Sequence, residues 1–184
     1  CRNQLTLLAN KQQLTRRKVR VQQRRDFFRQ MLARLRNSAK PVVIEVDGKG
    51  SYHVDRNQIE ATALEAKAPE GNATLRLFWQ NISLEQFFSL LEQSGLPEDK
   101  PLASAKLAIE LGNLQVVEKY LVRAWQLNAD ARAEISRIYA GKVLECPVPA
   151  DGFVVYRGRL ITRAKQRQIE EKERQERERQ AAEK

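Results

Sequence analysis

Arg16, Arg17, Lys18, Arg20, Arg24 and Arg25, with Arg29 just beyond, crowd cationic side chains into one short stretch that a single acid, Asp26, interrupts. Side chains of this type at this density suit one kind of chemistry: they attract phosphate or another polyanion by charge, with no need for base recognition. Residues 1–40 hold twelve of the chain's 33 Lys/Arg but only one of its 23 Asp/Glu. The other 144 residues, with 21 basic and 22 acidic groups, are close to neutral. Any attraction for nucleic acid or an anionic membrane surface therefore resides in the N-terminal stretch. The competing interpretation is a solvated helix neutralised by an acidic protein partner, since positions 16, 17, 18 and 20 span most of a helical turn without marking one face.

No other residue set points to chemistry. His53 is the only histidine; it sits in an expected strand two residues before Asp55, with no Ser or Cys nucleophile beside it, and reads as structural or solvated. Asp47-Gly48-Lys49-Gly50 lacks the glycine spacing and the following helix of a phosphate-binding loop, so it reads as a tight turn. Cys1 and Cys146 form neither a CxxC nor a Cys/His cluster, and neither a disulfide framework nor a metal site is expected. Cys146, ahead of Pro147, reads as a small apolar residue. Trp79 with Phe78, and Trp125 with Tyr120, fall at periodic positions expected in the core and not in a binding groove. No catalytic residue and no cofactor is expected. No apolar run approaches the ~18 residues a membrane-spanning helix needs. Two unpaired cysteines need no oxidising compartment, which makes the cytoplasm the default. A chain opening on Cys1 reads as a segment of a longer protein in preference to a lipidated N-terminus, and a catalytic domain could precede it.

The elements that must position the basic stretch begin with one long helix. Residues 3–38 contain no Gly or Pro, and Leu7, Leu14, Val21, Phe28 and Leu35 recur every seven residues. The companion coiled-coil position is Lys11, Lys18 and Arg25 before it becomes Leu32, so a full seam exists only at the end. The pattern predicts a protruding basic helix whose last three turns dock through Phe27, Phe28, Met31, Leu32 and Leu35. Pro41 closes it. Strands are expected over 42–46 and after Gly50, then as a pair at 59–64 and 74–79. Ser83 with Gln86 forms a capping-box pattern ahead of a helix that buries Phe87, Phe88, Leu90 and Leu91 and stops at Gly95.

Between Pro101 and Asp130 two helices break at Gly112-Asn113. The first presents Leu102, Ala105, Ala108 and Ile109, the second Val117, Tyr120, Leu121 and Ala124, as in a helical hairpin. A further helix is expected at 131–139, a β-hairpin at 153–162, and a solvated tail helix laced by the pairs Glu170–Arg174 and Glu173–Arg177.

The hairpin at 101–130 resembles one tetratricopeptide repeat: Ala108 and Gly112 match its packing and inter-helix positions, Leu121 and Ala124 those of its second helix. Val117 and Ala129 depart from the pattern, where alanine and proline are usual. "GFVVYRGRLIT" is similar to a short element that trails such repeats in large bacterial proteins. The resemblance implies a protein partner, and a non-enzymatic interaction or scaffold module built on this hairpin; the residues of the basic helix offer polyanion binding as the alternative. The expected fold is α+β in five segments: a basic helical arm (1–40), a small antiparallel sheet (41–82), a helical region (83–145), a β-hairpin (146–162) and a charged helical tail (163–184).

Overall fold

The computed structural model describes residues 2–46, 48–69 and 73–182, with side chains from Arg17 onward, and its fold is α+β. The chain divides into two compact units after Leu96.

The first unit opens with α1 (Arg2–Arg36), a run dominated by Leu, Arg and Gln, which lose little rotamer freedom in a helix. Its last turns bury Phe27, Met31, Leu32 and Leu35, spaced to share one face. These meet a four-stranded antiparallel meander of β1 (Val43–Val46), β2 (Gly50–Ile59), β3 (Ala63–Lys67) and β4 (Thr74–Phe78), in that spatial order. Gly48 and Gly50 take φ of +69° and +82° in the β1–β2 turn, a conformation glycine adopts without steric cost. Residues 59–64 do not form one strand. Ile59 ends β2, Glu60 N–H donates to Ala63 O at 2.8 Å, and Ala63 begins β3. Ile59, Ala63 and Leu64 are buried while residues 60–62 between them are exposed, as in a turn that folds the chain back on itself.

β2 carries a bulge: Val54 pairs with Ala66 and Ile59 with Leu64, five positions on one strand against two on the other. The Asp55 carboxylate accepts hydrogen bonds from Lys67 Nζ and the Asn57 N–H, each at 3.1 Å. The Lys67 bond, then the Asn57 bond, hold its pKa below the ordinary carboxylate value. The guanidinium of Arg36 donates to Ile59 O at 2.7 Å, and that of Arg56 to Ser38 O, tying the bulge to the end of α1.

α2 (Leu84–Gln93) starts at the expected capping box, with Ser83 Oγ accepting from Gln86 N–H and Gln86 Oε1 accepting from Ser83 N–H. Two glutamines of α2 cover the outer edge of β1. Gln93 accepts from Val43 N–H (2.8 Å) and donates to Val43 O (2.7 Å), while Gln86 donates to Glu45 O (2.6 Å). The short α3 (Leu96–Asp99) contains the division between the units.

In the second unit α4 (Pro101–Glu110) and α5 (Leu114–Leu127) form the helical hairpin. Gly112, at φ +78°, makes the reversal, and Asn113 N–H donates to Ala108 O at 2.9 Å. The buried face of α4 is Pro101, Ser104, Ala105 and Ala108; Leu102 and Ile109, expected there, are only half-buried. Ser104 can be buried because its hydroxyl donates to Lys100 O at 3.0 Å. α5 buries the four residues expected, and Val122 with them.

α6 (Arg132–Ile138) runs into a π turn, Tyr139–Val143. The π turn seats Tyr139 edge-on to Phe153 at 5.2 Å, with its hydroxyl donating to Leu160 O at 2.9 Å. It thereby holds the hairpin of β5 (Phe153–Tyr156) and β6 (Arg159–Thr162), which reverses at Arg157-Gly158 with positive φ at both residues. α7 (Arg163–Ala182) is capped by Asp151, whose carboxylate accepts from Ala164 N–H at 2.6 Å. The tail pairs differ from expectation. Glu173 bonds Arg157 at 2.8 Å, and Arg174 bonds Glu171 at 2.7 Å, because the turn of the hairpin brings a second arginine within reach of Glu173.

Candidate polyanion interface

None of residues 17–25 is buried, whichever side of α1 it faces. Among the described side chains of α1, Phe27 is the first that is buried. From Arg17 onward the helix thus has two regimes along one axis: a stretch solvated all round, then a stretch docked on the sheet. Local sequence explains the change, since Val19 and Val21 are the only apolar residues from 17 to 25 and lie on nearly opposite sides at ~100° per residue.

Arg17, Lys18, Val21, Gln22 and Arg25 line a shallow open groove along this stretch. Their spacing of one, four, five and eight residues places them on one side of the helix. Among the described residues no carboxylate pairs with Arg17, Lys18, Arg20 or Arg25. Arg20 and Arg24, four residues apart, occupy the adjoining flank beyond Arg17. Arg16, Leu7, Lys11 and Leu14 precede the residues whose side chains are described. Asp26 ends the run: it accepts from Gln22 Nε2 at 3.0 Å and lies 3.7 Å from Arg29.

His53 is exposed on β2, opposite Val43 and Lys67. Asp47, of the glycine-rich turn, lies outside the described residues, as do 70–72 of the β3–β4 turn. Cys146 is half-buried, and its N–H donates to Ala140 O at 2.9 Å. Trp79 is half-buried, edge-on to Phe28 at 5.1 Å, with its indole N–H donating to Glu60 O at 2.9 Å. Phe78, expected in the core, is 44% exposed, because the face of β4 that carries Thr74, Arg76 and Phe78 is left uncovered. Trp125 is half-buried beneath the Arg132 guanidinium, 5.5 Å from the ring centre. Among the described residues no group of three His, Cys, Asp or Glu side chains could hold a metal ion, and no helix is long and apolar enough to cross a membrane.

Sequence reasoning named the cations but not their grouping with Val21 and Gln22. The signal was available in the spacing Arg17, Val21, Arg25 and Lys18, Gln22, two parallel rows four residues apart; a count of charges per turn conceals it. The π turn at Tyr139 carried no such signal. No family model, no curated protein and no solved structure matches this chain.

Proposed function

We propose that this chain is a binding module whose working surface is the basic stretch of α1, and that it takes a polyanion. The single observation that carries this reading is the full solvation of residues 17–25 together with the lack of a carboxylate partner for Arg17, Lys18, Arg20 and Arg25 among the described residues. Cations that served only to stabilise the helix would be paired at three- or four-residue spacing, as Arg174 is with Glu171 and Glu178 in α7. The unpaired set is instead available to release counterions from a phosphate chain. The test is binding of the intact chain, and of the variant Arg17→Gln/Lys18→Gln/Arg20→Gln/Arg25→Gln, to labelled mixed-sequence nucleic acid across a salt series. Steep loss of wild-type affinity with salt, and a slope shallower by about 3.6 in the variant, is expected. Equal, weak binding by both proteins would remove the reading.

A second reading, a protein-interaction or scaffold module on the tetratricopeptide-like hairpin, draws support from Leu114 and Leu127, which are 49% and 63% exposed on α5. They stand at opposite ends of that helix, roughly 20 Å apart along its axis. Two separated leucines do not make the contiguous apolar patch that marks a protein interface, and the hairpin is a single pair where such repeats work as stacks. The polyanion reading is therefore the one we adopt.

A further inference from the structure

Resting on that reading, we propose that the polyanion is duplex DNA and that residues 17–25 of α1 enter its major groove. The cations lie on two flanks. Lys18 and Arg25, seven residues apart, share one side; Arg20 and Arg24 share another, roughly a third of the circumference away, with Arg17 and Val21 between them. A helix with its side chains is ~10–12 Å across and the B-form major groove is ~12 Å wide, so cations on two flanks meet the two phosphate backbones that wall the groove. Entry requires a helix exposed on every side, and residues 17–25 are all exposed.

Each rival polyanion lacks a feature on this surface. Single strands are held by aromatic platforms on which bases stack. Residues 17–25 contain no aromatic residue, Phe27 is buried, and Phe28 is engaged edge-on with Trp79. A lipid surface needs an apolar face opposite the charged one, whereas Val19 and Val21 point to nearly opposite sides. Duplex RNA offers a major groove too deep and narrow for the helix. The central residues Arg17 and Val21, between the two flanks, would face base edges, where arginine is suited to guanine.

The experiment compares the intact chain on duplex DNA, duplex RNA and single-stranded DNA of equal length across a salt series, and probes methylation of guanine N7, an atom exposed in the major groove. Two full-length variants separate the flanks: Lys18→Gln/Arg25→Gln and Arg20→Gln/Arg24→Gln, each checked for an unchanged circular dichroism spectrum. Duplex DNA is expected to bind at least tenfold more tightly than the other two, with N7 protected and each flank variant lowering the salt slope by about 1.8. Equal affinity for all three nucleic acids, unprotected N7, or an effect from one flank only would overturn the groove assignment while leaving polyanion binding intact. Absence of salt-dependent binding to any of them would overturn both.

Discussion

The phenol of Tyr139 shows how one side chain can report on a whole packing arrangement. Burial first, and the neighbouring Glu118 second, push its pKa from 10.0 up to about 12. A group whose folded pKa is raised contributes stability that is complete below the unfolded value and is lost as pH climbs through the folded one. The second unit is therefore expected to lose stability between about pH 10 and pH 12 as this phenol ionises, read as a falling melting temperature alongside phenolate absorbance. Tyr139→Phe should remove that alkaline step. It should also cost about 1 kcal/mol at neutral pH, because Leu160 O loses its donor. Nothing in the sequence around Tyr139 announced this role. The π turn that aims the ring follows from where β5 and β6 lie, and that is a tertiary fact.

At the scale of elements the sequence was more informative. The capping box at Ser83 and Gln86, the reversal at Gly112 and the hairpin turn at Arg157-Gly158 are local, and each is found where residue type demands it. The misplaced features depend on neighbours: the fold-back at 60–62, the rotated face of α4, and the exposed Phe78 were all decided by what packs or fails to pack alongside. Gln93 belongs to this second kind. A glutamine at the end of an amphipathic helix looks like solvated surface, yet its amide takes both hydrogen bonds of Val43 on the outer edge of β1. Gln93→Ala should cost about 1 to 2 kcal/mol, measured as a lower denaturation midpoint with an unchanged slope, by leaving both backbone groups without a protein partner. Gly112→Ala tests the opposite case. No atom lies within 4 Å of the added methyl, so its cost, about 1 to 2 kcal/mol, is purely that of holding an L-residue at positive φ.

Over the whole chain, charge is segregated as the sequence requires: the body is near neutral, and Arg17, Lys18, Arg20 and Arg25 have no carboxylate partner among the described residues. The location of the candidate site was thus legible from composition, while its two-flanked form was not, since that depends on residues 17–25 staying undocked. The sheet of the first unit is asymmetric in a comparable way. β1's outer edge is covered by the glutamines of α2. On β4, Leu75, Leu77 and Trp79 turn their backbones toward β3, leaving those of Thr74, Arg76 and Phe78 facing outward with no partner among the described residues. In deuterated water this asymmetry becomes a clock: the amide proton of Val43 should persist until its unit opens, whereas those of Thr74, Arg76 and Phe78 should be replaced almost at once, marking β4 as the strand from which the sheet unravels.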